Sequence, residues 1–347
     1  MKQKIKTMEE LAAAIGISRP TLSRFFRDAD SVRASTRKKI EDGLETVDYV
    51  PNFFATRLNR KSTGLIGVII PDTEDLFFAR LLNAIERPAL EADYTVLRQN
   101  SHGSADLEAR AVETFLSMNV DGVIVAPLGR ESSADVFARL STRLPIVLVD
   151  SRLPHALPSV DFVGTNNRQS IDTLVNYLCR TGAPPHFFGM PPLNTNSPER
   201  EAAYVASMER LGFKPVLVEV PAEPDSWEFE AYAYDVMDEH FGSGRYVDAT
   251  ILCANDRLAT GVLRAAGKHG LLPRRSDVKA KLRVAGHDDN PMSRFMTPSL
   301  TTVAQNFEAI GRSSFRLLLR RIEGDTSLES SGTEEVFDTI LRIRESA

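Results

Sequence analysis

From Leu65 onward, short apolar runs alternate with stretches long enough for one helix each. The runs are Leu65–Pro71, Tyr94–Gln99, Gly122–Pro127 and Ile146–Asp150, then His186–Met190, Val216–Val220, Thr250–Ala254 and Leu282–Gly286. Runs without polar alternation read as strands buried on both faces, the condition of a parallel sheet covered by helices. Parallel neighbours cannot be joined by a hairpin, so the intervening stretches read as crossover helices. Two such series predict an α/β body built of two doubly wound parallel-sheet lobes.

In such sheets, ligands sit beyond the carboxyl ends of the strands. The residues there are polar: Asp72 to Phe78, Asn100-Ser101, Asp150-Ser151-Arg152, Arg200, Asn255-Asp256 and His287-Asp288-Asp289. Carboxylates, amides and guanidinium forks suit vicinal hydroxyls, while an aromatic face suits the apolar side of a sugar ring or base.

The first 50 residues follow another rule and predict an all-α head. Thr7 and Glu10 have capping-box spacing at the start of a helix whose apolar face is Leu11, Ala12, Ala14 and Ile15. Gly16 ends it, and Ser18 can cap a second helix with Pro20 in its first turn, where a missing N–H costs nothing. Leu22, Phe25 and Phe26 face inward, leaving Arg19, Thr21, Ser23, Arg24 and Arg27 to point outward or flank the contact. A third helix runs from about Ser35 to Val47. Helix, glycine turn and arginine-bearing second helix are the layout of a helix-turn-helix, whose second helix enters the major groove. Charge agrees: residues 1–61 carry 13 Lys/Arg against 8 Asp/Glu, while the remainder carries 29 against 39. A basic head on an acidic body directs a polyanion to the N-terminal segment.

The string Met8-Glu9-Glu10-Leu11-Ala12, Gly16-Ile17-Ser18 and Thr21-Leu22-Ser23-Arg24 resembles the signature of the LacI/GalR family of transcriptional regulators. Similar strings continue at Ser35–Ile40, Asp48–Asn52, Val149-Asp150, Val163–Asn167, Ser197–Arg200, Asn255-Asp256, Gly286–Asp289, Leu300–Val303 and Leu341–Ser346. The resemblance implies a helix-turn-helix domain over 1–50, a hinge helix over 51–62 and an effector-binding domain over 63–347, resembling type I periplasmic binding proteins. It further implies an N-lobe of about 63–164 and 302–328, and a C-lobe of about 165–301 and 329–347. By position, Arg19, Pro20 and Arg24 take the base-reading places, and Thr21 and Ser23 contact phosphates. In the hinge, Asn52 and Arg57 reach the backbone, Ala55 allows close packing of paired helices, and Leu58 wedges into the minor groove. Asp150, Arg200, Asn255 and Asp288 are the implied effector contacts; Phe77 or Phe78 and Trp227 are the stacking surfaces. Asp256 reads as a structural hydrogen-bonding residue. Three places depart from the family pattern: Pro20 offers only van der Waals contact, Arg27-Asp28 stands where the family often has Asn, and Asp75 stands where the family commonly has Asn.

The expected partners are a pseudo-palindromic double-stranded DNA operator, a sugar-like small-molecule effector and a second copy of the chain. No heptad extension follows Ser346, so the homodimer is the expected state. No apolar run approaches the ~20 residues of a membrane span, and Met1–Lys6 lacks the apolar run of a secretory signal, so the cytoplasm is expected. Cys179 and Cys253 form no ligand pair and read as core residues, and the six histidines show no metal-ligand spacing. Neither a metal nor a cofactor is expected, nor is an enzyme. Pro71-Asp72-Thr73-Glu74 is unlike a dinucleotide turn, and the stretch Gly261 to Gly267-Lys268 only mimics a phosphate loop. A solute-binding protein would explain the body but has no use for the head.

Overall fold

The computed structural model describes residues 2–51, 62–153, 155, 157, 160–220, 227–272, 282–325 and 332–347. The chain forms two compact units, Met1–Leu65 and Ile66–Ala347.

In the first unit, helix α1 (Met8–Ile15) starts at Thr7, whose side chain accepts from the Glu10 amide while the Glu10 carboxylate takes the Thr7 amide. Gly16 ends it at φ 64°, and the Lys39 ammonium donates to its carbonyl at 3.1 Å. Helix α2 (Arg19–Arg27) is capped by Ser18, and α3 spans Ala34–Thr46. Ile5, Leu11, Leu22, Ile40 and Val47 form the buried core, with Phe25, Phe26 and Tyr49 packed against it. Gly43 lets α3 lie against Ile15, because a Cβ there would come within 2.7 Å of the Ile15 side chain. A short parallel pair, β1 (Gln3–Lys4) with β2 (Val47–Asp48), ties the two ends of this unit together; the sequence pattern does not foretell it.

The second unit contains the two sheets. The N-lobe sheet has the order β12-β7-β6-β5-β3-β4, from β3 (Leu65–Ile70), β4 (Thr95–Asn100), β5 (Gly122–Val125), β6 (Ile146–Val149), β7 (Asp161–Thr165) and β12 (Glu334–Phe337). Helix α4 (Leu76–Glu91) and helix α11 (Phe307–Ile322) pack together beside it, with Phe78, Leu81, Ile85, Ile310 and Leu318 in the common core. Helices α5 (Ala105–Ser117) and α6 (Ala134–Ser141) complete the crossovers. The C-lobe sheet is β10-β9-β8, from β8 (His186–Phe188), β9 (Thr250–Cys253) and β10 (Arg283–Ala285). Around it lie α7 (Asn167–Thr181), α8 (Asn196–Arg210), α9 (Phe229–Gly242) and α10 (Asp256–Lys268). Cys253 is buried in this core and Cys179 packs against it.

The expected strand at Val216–Val220 is reduced to a single parallel bridge, Phe187 to Leu217, although Val218 is buried. The lobe limits also need correcting. Residues 302–304 do not open the N-lobe: β11 (Thr302–Ala304) pairs antiparallel with β13 (Ile340–Arg342) and bridges toward β10. Nor does the C-lobe take all of 329–347, because β12 pairs in parallel with β7 of the N-lobe sheet. The last crossing therefore falls between Phe337 and Ile340. There Asn166 Nδ2 donates to Asp338 Oδ1 at 2.9 Å and the Thr339 amide donates to Gln169 Oε1 at 2.9 Å. The entry to β12 is held by Asp161, fully buried, which takes two bonds from the Arg321 guanidinium and one from the Thr333 amide.

Among the described residues, no helix is long and apolar enough to cross a membrane.

Candidate functional sites

In the head, Arg19, Pro20, Ser23 and Arg24 are exposed on α2 and Thr21 is half-buried. The Thr21 hydroxyl lies 2.8 Å from that of Ser18, within the cap. Arg19 is engaged by Glu9 at 2.5 Å, with both side chains about two-thirds exposed. A pair so exposed is worth ~0–1 kcal/mol and exchanges readily for another acceptor. Arg27 closes α2, and Asp28 turns the chain by accepting from the Asp30 amide. Asn52, Ala55, Arg57 and Leu58 lie outside the described residues.

In the body, Phe77, Phe78, Asp150, Arg200, Trp227, Asn255 and Asp288 all line one cleft between the lobes. Its centre is Arg200, 3% exposed on α8. Arg200 Nε donates to Asn167 Oδ1 at 2.9 Å, and Nη1 donates to the Ala254 carbonyl at 2.8 Å. Nη1 also lies 3.6 Å from Asp288 Oδ1. Burial acts to raise the Asp288 carboxyl, but Arg200 and the His287 and Gln305 donors outweigh it and hold it below the usual range. Asp288 is therefore an anion, which can only accept. His287, pushed down to about 4 by burial and by Arg200, is neutral. Its proton sits on Nδ1, 2.7 Å from Asp288, leaving Nε2 to accept from Ser170.

Asp288 also marks a crossing between the lobes. Gln305 Nε2 donates to it at 2.7 Å and Thr165 bonds Gln305 Oε1, so two of the interlobe crossings are tied to one carboxylate. Its φ of 119° is a backbone state that L-residues rarely adopt, held here by the bridge from Asp288 to Ala304.

Asp150 follows β6 at φ 67°. Burial pushes its carboxyl up to about 7, against the pull of Arg200. Asn255 caps α10 through its oxygen, accepting from Leu258 N at 2.8 Å, which leaves its NH₂ toward the cleft and Met190. Asp256 is structural, as expected: it accepts from Thr302, Ser293 and the Asn290 amide, each at 2.7 Å. Phe78 is 3% exposed and belongs to the N-lobe core, whereas Phe77 is half-buried and meets Phe307 edge-on. Trp227 crosses to the N-lobe, where Gly103, at φ 68°, leaves room for its indole.

The cleft also holds Met190, Asn194, Asn196, Phe229 and Arg257, which the sequence reading passed over. Met190 and Arg257 lie just beyond the carboxyl ends of β8 and β9, so the strand-end rule pointed to both. The Asp75 departure acquires a partner: Asp75 Oδ1 caps α4 at the Phe77 amide, and Oδ2 pairs with Arg257 Nη1 across the cleft at 3.2 Å.

A helix-turn-helix head joined to a two-lobed cleft defines the class of ligand-responsive DNA-binding regulators. Residues 7–52 match the bacterial regulatory proteins of the lacI family, and residues 66–326 match the periplasmic binding protein domain. The chain is 30% identical to catabolite control protein A of Priestia megaterium over 92% of this chain and 93% of that one. It is 27% identical to the ribose operon repressor of Escherichia coli K12, covering 92% and 94%. A crystal structure of the lac repressor dimer bound to operator and the anti-inducer ONPF superposes with a TM-score of 0.82, at 24% identity and 98% coverage of both chains. The chain belongs to the lacI family of bacterial regulatory proteins, and is a DNA-binding transcriptional regulator.

Proposed function

We propose that this regulator is a cytoplasmic repressor. It reads a pseudo-palindromic operator as a homodimer, and its operator affinity is set by a carbohydrate held between the lobes. The observation that carries the sensing half is the convergence of Asp150, Arg200, Asn255 and Asp288, more than 130 residues apart at the extremes, on one cleft with Phe77 and Trp227 at its sides. Fixed carboxylate and amide groups beside aromatic faces are what a ring with vicinal hydroxyls requires. The cleft binds its ligand and does not transform it. The relatives agree in kind, since one is a ribose operon repressor and a further solved relative is a CelR–cellobiose complex.

In this reading Arg24 and Arg19 bond guanine edges, Pro20 touches a thymine methyl, and Thr21 and Ser23 hold phosphates. Asn52 and Arg57 grip the backbone, Ala55 lets paired hinge helices approach, and Leu58 wedges the minor groove. Because Asp288 fastens two interlobe crossings, a ligand bonded to it acts on the relation of the lobes, and through the hinge on operator affinity.

Selection of duplexes from a random pool by the full chain tests this. It should return a two-fold-symmetric site, and Arg24→Ala should relax one position per half-site at a cost of ~1–3 kcal/mol. Uniform weakening on every sequence would remove Arg24 from base reading, and failure to enrich any site would refute the operator.

A further inference from the structure

Beyond its hydroxyl-binding groups, the cleft has a pronounced charge imbalance. Its floor and mouth are lined, among the described residues, by seven carboxyls: Asp72, Glu74, Asp75, Asp150, Glu228, Glu230 and Asp288. Against them stand two guanidiniums, Arg200 and Arg257, with no lysine or histidine in the lining. Both guanidiniums are engaged by the protein itself. Arg200 is held by Asn167, the Ala254 carbonyl and Asp288. Arg257, whose side chain is 16% exposed, is held between Asp75 on one lobe and Glu230 at 2.7 Å on the other.

Two of the helix ends at the cleft, those of α4 and α9, carry carboxyls of their own. A helix N-terminus attracts phosphate through its free amides. At the start of α4 the Asp75 carboxylate already takes the Phe77 amide, and at the start of α9 Glu228 and Glu230 place two further carboxyls. An anionic group entering here would meet the acidic groups of the mouth, Asp72, Glu74, Glu228 and Glu230, and would have to displace a carboxylate from a guanidinium to pair with one.

We infer that the cleft admits a neutral or cationic polyol and excludes phosphorylated and carboxylated ones, and that Asp75 sets this selectivity by neutralising Arg257 across the cleft. The inference rests on reading the cleft as a carbohydrate site. It narrows that class to free sugars, amino sugars and their uncharged glycosides. Were Asp75 an Asn, Arg257 would lose one of its two carboxylate partners and face the mouth with part of its charge uncompensated.

The single tryptophan of the chain, Trp227, lines the mouth, so its fluorescence reports local charge without any knowledge of the ligand. The full chain is titrated with iodide, caesium and acrylamide at constant ionic strength, each normalised to N-acetyltryptophanamide. The caesium-to-iodide quenching ratio should exceed that of the free indole several-fold, and should fall in Asp75→Asn and further in the double variant Asp75→Asn/Glu230→Gln. Equal or greater quenching by iodide overturns the inference. A high ratio unmoved by either variant overturns the role given to Asp75.

Thermal shifts with glucose, ribose, glucosamine, glucose 6-phosphate, ribose 5-phosphate and glucuronate form the second arm. Stabilisation should come only from the neutral or amino members. A phosphate or uronate that raises the midpoint above its neutral parent overturns the selectivity. Caesium preference with silence from every sugar refutes the carbohydrate reading and leaves the cation-selective cleft standing.

Discussion

Arg200 is the cation around which the cleft is built, and replacing it with methionine keeps the bulk while removing the charge. Three attachments go at once: the bond to Asn167, the bond to the Ala254 carbonyl and the pairing with Asp288. Removing one partner of a buried pair costs ~3–5 kcal/mol, because the remaining charge is left in a poor solvent. For a unit of this size that corresponds to a fall of roughly 5–8 °C in the unfolding midpoint. The cost should also depend on pH in a direction the site dictates. Asp150 has a folded pKa raised to about 7, above that of the unfolded chain. Folding therefore takes up a proton there, and stability falls as pH rises toward 7. Arg200 opposes that rise, so without it the Asp150 carboxyl moves further up. At pH 6 Asp150 is protonated with or without Arg200, and the variant loses only the support of Asp288. Above pH 7 it also loses the support of ionised Asp150, at ~1.4 kcal/mol per pH unit until the new pKa is reached. Urea unfolding followed by Trp227 fluorescence at pH 6.0 and 8.5 measures both quantities. A cost below about 1 kcal/mol, or one equal at the two pH values, would refute the assignment of Arg200 as counter-ion to both carboxyls.

Asp150→Asn should flatten the fall in stability as pH rises from about 4 to 7, since it removes one of the groups whose folded pKa is raised to about 7, and leave the part due to Asp256; chemical denaturation across that range checks it. Gly311→Ala should destabilise the body by ~1–3 kcal/mol, because the added Cβ would press on the Ala84 backbone where α11 meets α4; the unfolding midpoint reads it. Thr7→Ala should cost the head about 1 kcal/mol by dissolving the capping box, seen as faster amide exchange at Glu10 with no change in the body.

What could be read from the sequence depended on how local its physical cause is. The Thr7–Glu10 box and the Ser18 cap are settled within four residues, and both stand in the structure. The buried strands were visible as runs such as Leu65–Ile70, in which every residue is buried. Strand β7 was hidden because it opens on Asp161, a charge made tolerable by Arg321, 160 residues away. Strand β12, at the edge of its sheet, opens with two glutamates and reads as a loop, since an edge needs no continuous apolar face. The Asp75–Arg257 pair joins positions 182 residues apart on different lobes, and no periodicity carries that information. Asp75 was noticeable only as a departure from the family pattern, and the structure supplies its partner.

The crossing of β12 and β13 bears on the order in which the protein can be made. The head is contained within the first 51 residues, closed by the pairing of Gln3 with Val47, and has what it needs to fold early in synthesis. Neither lobe shares that independence: the N-lobe sheet waits for residues 334–337, and the C-lobe waits for 340–342 to join β11 and for Ser346 to bond Val284. A ribosome that stalls or stops anywhere in the body thus releases a finished DNA-reading head attached to two unfinished sensors. Residues 334–346 complete both lobes together, and the body reaches its folded state in one late step rather than lobe by lobe.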